Sequence, residues 1–305
     1  TDIEEVCPDA WFLNYTNPMA QLAGYLGRYT PIKSVGLCHS VQGCSRNLLK
    51  DLGIEYKEPL RESIAGINHM GWLLELEDAD GNDLYPEIRE RAIAILESGK
   101  TDHHDLVRYE YIRRLGYYCT ESSEHNAEYN DFFIKSKYPE LIERYNIPLD
   151  EYPRRCINQI ENWKKDREKY MHDDVTHTRT TEYASYIMEA IVTDIPYKIG
   201  GNVINNGLIP NLPAEACVEV ACLVNKNGIQ PCAQKPLPLQ LAAMNSAMIG
   251  VQLLTIEAAV TQKKETIYQA AMLDPHTSSE LSIDEIIRLC DDLIEAHGSY
   301  LPKYH

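Results

Sequence analysis

Short apolar runs alternate with amphipathic stretches over the first part of the chain, and this pattern predicts its elements. Residues 1–7 read as the end of a helix that leaves through Pro8-Asp9. Residues 10–14 form an apolar run of strand length, closed by the polar break Thr16-Asn17-Pro18. Residues 19–29 carry a helical period, 31–37 a second strand and 41–52 a second helix. Strand–helix alternation of this kind is the signature of a parallel sheet with covering helices. In such sheets ligands gather at the carboxyl ends of strands, where Asn17 and Cys38-His39 fall. A third strand, 63–67, delivers Asn68-His69 in the same manner. Residues 71–76 and the turn Asp80-Gly81-Asn82-Asp83 then suggest a hairpin, so the architecture changes near residues 58–70.

Beyond that point helices dominate. They are expected over 85–98 and 105–115, the latter ending at Gly116 as a C′ glycine. Residues 117–129 are dense with polar groups and read either as a loop lining a site or as a solvated helix start. Residues 141–168 suggest an exposed helical arm, and 178–192 a more amphipathic helix. Strands at 200–206 and 216–224 precede the turn signal Asn227-Gly228. Residues 239–262 form a long apolar helix, either a core helix or a subunit interface. Ser282 and Glu285 make a capping box for a last helix over 283–297. The expected fold is α/β: the remainder of a Rossmann-like parallel sheet over 1–60, then a mainly helical α+β domain with small antiparallel sheets over 61–305.

Composition narrows the function classes. The 305 residues can bury a substantial core, and a net charge of −17 opposes binding to nucleic acid. Apolar residues at 44% and charged residues at 25% fit a soluble globular protein. No uninterrupted apolar run of membrane-spanning length stands out, so no membrane partner is expected. Nine scattered cysteines without a CxxC pair argue against a disulfide framework and for a reducing cytoplasm.

Two stretches concentrate candidate chemistry. Ser34-Val35-Gly36-Leu37-Cys38-His39-Ser40 and Gly66-Ile67-Asn68-His69-Met70-Gly71 each end an apolar run in groups able to bind metal or move protons. A thiolate and an imidazole suit a borderline divalent ion, and separate strand ends can bring Cys38 and His69 together. Two ligands alone are a weak signal, since a buried cysteine is usually packing. His39 could act as a general acid or base near neutral pH, or simply sit on the surface. Asn17 could meet a sugar hydroxyl or merely cap a turn.

The motifs Asn14-Tyr15-Thr16-Asn17-Pro18, Gly36-Leu37-Cys38-His39-Ser40 and Gly66-Ile67-Asn68-His69-Met70-Gly71-Trp72 resemble the successive motifs of glycoside hydrolase family 4. Thr120-Glu121-Ser122-Ser123-Glu124-His125 with Glu128-Tyr129 is similar to its α-galactosidase branch. Asn205-Asn206-Gly207, Leu212-Pro213 and Asp274-Pro275 resemble its C-terminal half, so the likeness spans essentially the whole chain.

The resemblance implies an NAD-dependent glycosidase outside the two-carboxylate scheme. NAD⁺ would oxidise the sugar at C3 and acidify the C2 proton, with Mn2+ polarising the C2 and C3 oxygens. A base would take that proton and an acid would help the C1 group leave; water then adds and the hydride returns. Carried over by motif, Cys38 and His69 would bind the metal, Asn17 and Asn68 the substrate. His39 would be the acid. Glu121 is the favoured base, with Tyr111 or Tyr109 as alternatives. A homodimer or homotetramer acting on a small-molecule glycoside is expected.

One departure stands out: no Gly-x-Gly-x-x-Gly turn occurs, and no NAD-binding residue is assigned. The chain is therefore expected to be part of a protein roughly 130–150 residues longer, judged from typical domain size, and weak in NAD binding by itself. Competing readings are an α-glucosidase, α-glucuronidase or 6-phosphoglycosidase of the same family, a 2-hydroxy-acid dehydrogenase, or an inactive assembly fragment. The absence of an obvious basic cluster near the motifs favours an unphosphorylated hexoside.

Overall fold

A computed structural model describes residues 2–173, 176 and 178–305. Its strands are β1 (Trp11–Asn14), β2 (Lys33–Gly36), β3 (Arg61–Ile67), β4 (Met70–Glu77), β5 (Tyr118–Cys119), β6 (Tyr197–Ile204), β7 (Cys217–Asn225) and β8 (Gly228–Pro231). They join in one mixed sheet of order β1-β2-β6-β7-β3-β4-β5, with β8 paired to β7. Among the described strands only β1 and β2 run parallel, linked by the helix Met19–Tyr29 as the alternation predicted. A parallel pair needs such a crossover, whereas a short turn can only reverse the chain.

The antiparallel strands, expected as small sheets, continue the parallel pair directly. Gly36 of β2 opposes Asn202 of β6, and β6 and β7 then pair over their length. The junction is close-packed: a Cβ on Gly36 would lie 2.8 Å from the Asn202 Cβ and would collide with the Met19 sulfur. Helix Met19–Tyr29 turns its Met19, Ala20, Ala23 and Gly24 face inward there. Small residues allow that approach.

The strand expected over 63–67 forms as β3 and carries Asn68-His69 at its end, as expected. β3 is antiparallel to both β4 and β7. Ile67 opposes Met70, so Asn68 and His69 are a two-residue hairpin tip. The Asp80 turn yields only the single bridge Glu77 to Asp83.

Several helices match their pattern: Tyr85–Glu97, Leu106–Leu115 with Gly116 left-handed at φ +90, and Ile283–His297 with its capping box. The helix expected over 41–52 breaks at Gly43 into His39–Gln42 and Cys44–Asp51. The arm expected over 141–168 divides into Glu140–Arg144 and Glu151–His172, and the latter buries no residue. Residues 178–192 become helical only at Ala184–Thr193. β8 and the helices Lys264–Leu273 and Pro275–Glu280 lacked a legible signal.

Helix Leu239–Thr261 is in fact long and apolar enough to cross a membrane by composition, contrary to the sequence expectation. In the fold it is a core helix. Leu241, Ala242, Asn245, Ile249, Gln252 and Ile256 recur at helical spacing on its buried face. Asn245 accepts from Trp72 Nε1 at 3.0 Å and donates to Met70 O at 2.9 Å, pinning the hairpin from behind. All nine cysteines are free thiols.

Candidate active site

The end of β2, the β3–β4 hairpin tip and the turn after β5 meet at one place. Cys38 is extended and leads into the helix His39–Gln42. His69 lies at the hairpin tip, and Glu121 precedes the helix Ser123–Glu128, which Ser122 caps by accepting from His125 N–H. A sulfur, a ring nitrogen and a carboxylate oxygen from Cys38, His69 and Glu121 all lie within 4.8 Å of one another.

Neighbours hold this set in place. Tyr129 OH lies 3.1 Å from His69 Nδ1, while His69 Nε2 is 3.9 Å from Glu121 Oε2. His125 stacks on His69 with centroids 5.3 Å apart, and its Nε2 is 3.8 Å from Glu121 Oε1. Glu121 therefore sits between two imidazoles. His125 Nδ1 in turn meets Glu128 Oε2 at 2.9 Å. An imidazole whose second nitrogen is already engaged keeps one fixed orientation, as metal-binding histidines do.

Burial divides the two imidazoles electrostatically. Desolvation pushes His69 below the ordinary histidine value, partly opposed by Glu121, while the Glu128 hydrogen bond draws His125 above it. Burial, and then the charge of Glu219, raise the Cys38 thiol to about 11. Without a cation this pocket opposes the thiolate; a divalent ion would reverse that. A neutral imidazole, a carboxylate and a thiol that ionises on binding fit a divalent metal of the zinc or manganese type.

Beside the set lies a cavity of about 540 Å³ whose walls include Asn17, Asn68, His69, His125, Tyr129 and Arg155. Asn17 Oδ1 accepts from Met19 N–H at 3.1 Å, and Asn68 is buried at the hairpin tip. Among the described residues Arg155 is the one Lys or Arg lining it, and Glu124 pairs with it at 3.0 Å.

His39 is not among the residues lining that cavity. Its ring stacks on Tyr15 at 5.1 Å, and Nε2 lies 2.7 Å from Glu182 Oε2. The other Glu182 oxygen accepts from Tyr15 OH. Tyr111 and Tyr109 are buried in the core by their helix and are not among the residues lining the cavity. Tyr111 donates to Asn126 O at 2.9 Å, and burial raises it well above the usual tyrosine range. Two tyrosines line the cavity, Tyr129 and Tyr152, and of these Tyr129 meets His69; the sequence marked it only as part of a motif. Glu182 and Glu219 carried no local signal at all.

A second donor cluster, Asp51, His104 and Asp105, is structural in character. The buried Asp105 carboxylate already accepts from Arg108, Ser123 and Tyr118.

Residues 64–277 match the model of the family 4 glycosyl hydrolase C-terminal domain, and residues 1–54 match that of family 4 glycosyl hydrolase. An alpha-galactosidase of Bacillus subtilis (strain 168) is 60% identical over 304 residues, covering 99% of this chain and 69% of the relative. The chain belongs to glycosyl hydrolase family 4. An alpha-galactosidase of Rhizobium meliloti (strain 1021) is 30% identical over 317 residues, covering 99% of this chain and 63% of that relative.

Among solved structures, the Bacillus subtilis protein lplD aligns with TM-score 0.83 at 24% identity, over 95% of this chain and 70% of that one. A 6-phospho-alpha-glucosidase from gut microorganisms, solved in complex with NAD and Mn2+, aligns with TM-score 0.77 at 21% identity, over 99% and 70%. At these identities the likeness shows the family 4 fold. Family membership displaces the plain dehydrogenase as a reading of the motifs.

Proposed function

We propose that the protein is an α-galactosidase dependent on NAD and a divalent metal, with Mn2+ held by Cys38, His69 and Glu121. The observation that carries the chemistry is the convergence of these three donors beside a substrate-sized cavity. The choice of galactoside is supported by the 60% identical alpha-galactosidase that spans nearly all of this chain. A 6-phosphoglycoside would call for several cations, and the described cavity wall offers only Arg155, already paired with Glu124.

The bound metal would act as a Lewis acid on the sugar oxygens. Asn17 and Asn68 hold sugar hydroxyls from the cavity wall. Glu121, expected from the motif to be the base, joins the donor set first. Tyr129 takes the place of Tyr111 as the tyrosine positioned to move a proton, its hydroxyl raised to about 12 by burial until a cation lies nearby. The acid role of His39 rests on its motif position; the ring lies outside the cavity wall, with Nε2 held by Glu182.

No Gly-x-Gly-x-x-Gly occurs within these 305 residues. The chain spans 69% and 63% of the two alpha-galactosidases, and NAD dependence is proposed for the protein as a whole.

The test compares nitrophenyl α-galactoside, nitrophenyl α-glucoside and a 6-phospho-α-glucoside on full-length protein with NAD⁺, Mn2+ and a reductant. The galactoside should turn over fastest, and omission of NAD⁺ or Mn2+ should abolish the rate. Equal hydrolysis without NAD⁺ overturns the mechanism; preference for the phosphorylated sugar overturns the substrate.

A further inference from the structure

Cys38 and His69 reach the same place from strands that are not neighbours. β2 and β3 are separated in the sheet by β6 and β7. Any rigid relation between the two donors must therefore pass through those intervening strands. Each contributes one buried polar side chain at that level. Asn202 of β6 stands opposite Gly36, two residues before Cys38. Glu219 of β7 stands opposite both Asn202 and Gly66, the latter three residues before His69.

These side chains connect. Asn202 Nδ2 donates to Gly36 O at 3.3 Å and to Glu219 Oε1 at 2.9 Å. Glu219 Oε2 lies beneath the hairpin, 3.3 Å from where a Cβ on Gly71 would stand. Asn68 neighbours the same carboxyl, and its approach counteracts part of the rise that burial imposes on it. Yet Glu219 Oε2 and Asn68 Nδ2 are both buried without a partner in hydrogen-bond geometry. An acceptor and a donor thus lie side by side at the hairpin.

Glu219 is 1% exposed, in a strand otherwise flanked by Val218 and Val220. A buried carboxyl with one satisfied oxygen is a liability that an apolar residue of similar size would remove. Its position suggests what it does instead. We propose that Glu219 is a positioning residue: with Asn202 it ties the end of β2 to the β3–β4 hairpin, fixing the separation of Cys38 and His69 for a divalent ion and aiming the Asn68 amide at the cavity. This rests on the metal-binding reading of Cys38 and His69.

The test measures Mn2+ affinity by calorimetry and thermal melting, on full-length protein, for the wild type, Glu219→Gln and Asn202→Ala. The Gln variant keeps the shape but turns an N–H₂ toward the Asn68 amide, so the hairpin tip must shift or the amide must flip. Both variants should lose about 10- to 100-fold in Mn2+ affinity, the range for outer-shell partners, while Glu219→Gln melts no lower than wild type. Glu219→Asp should recover part of that affinity. Wild-type Mn2+ affinity in both variants overturns the proposal. A Glu219→Gln protein that fails to fold also overturns it, because the residue then serves stability. A folded wild type that binds no Mn2+ overturns the donor set itself.

Discussion

Glu121 Oε2 lies 3.9 Å from His69 Nε2, and both residues hold a left-handed backbone, with φ +70 at Glu121 and +64 at His69. Neither is a glycine or asparagine, so each conformation costs on the order of 1 kcal/mol or more. Two such residues facing each other beside a cavity point to geometry retained for the site. In each case the turn aims a donor out of the sheet edge toward its counterpart.

The donor set predicts a specific loss pattern. Cys38→Ser and His69→Ala should each remove Mn2+ binding by calorimetry while leaving the circular dichroism spectrum and melting midpoint close to wild type, because Cys38 is only partly buried and His69 lies at a hairpin tip.

Glu121 separates ligation from proton abstraction. Glu121→Gln should weaken Mn2+ binding and C2-proton exchange together, and excess Mn2+ should restore part of the exchange. Unchanged Mn2+ affinity with exchange abolished would return Glu121 to the base role instead.

If His39 is the acid, its replacement should matter most for poor leaving groups. His39→Asn should slow methyl α-galactoside by about 10²-fold and nitrophenyl α-galactoside far less, the usual signature of lost acid assistance. Glu182→Gln should reproduce part of that contrast through the 2.7 Å contact with His39 Nε2.

Glu219 gives the metal-free protein a pH-dependent stability. Burial raises its carboxyl to about 7 from the ordinary glutamate value near 4.5, so the folded form favours the proton. A group raised in the folded state contributes stability that is fully present below its unfolded pKa and lost as pH rises through the folded one. Between about pH 4.5 and 7 the wild type should lose on the order of 3 kcal/mol relative to Glu219→Gln. Urea melts of both proteins in chelator across that window check the sign.

The pin behind the hairpin should be a stability determinant. Asn245→Ala leaves Trp72 Nε1 and Met70 O without their partner in the core and opens a small cavity. The expected cost is about 3 kcal/mol, read by denaturant unfolding. Gln240, whose amide donates to Leu115 O from an exposed position on the same helix, should tolerate alanine far better.

Much of this protein is local in origin. The apolar run before Asn14, the helical period of 19–29, the C′ glycine at 116 and the Ser282–Glu285 capping box each act over a few residues, and each produced the element it predicts. The motif residues Asn17, Cys38, Asn68, His69 and Glu121 were also marked by the sequence, because they terminate such elements. Only the tertiary structure decided which of them share a site. It set Glu121 against His69, brought Tyr129 rather than Tyr111 to the cavity, and paired His39 with Glu182 across 143 positions. It also placed Asn202 and Glu219 between the two donor-bearing strands, where their side chains read in sequence as ordinary polar breaks in a strand. Periodicity records which face of an element is buried; strand order and direction decide which buried faces meet, and a two-residue turn at Asn68-His69 fixed that direction here.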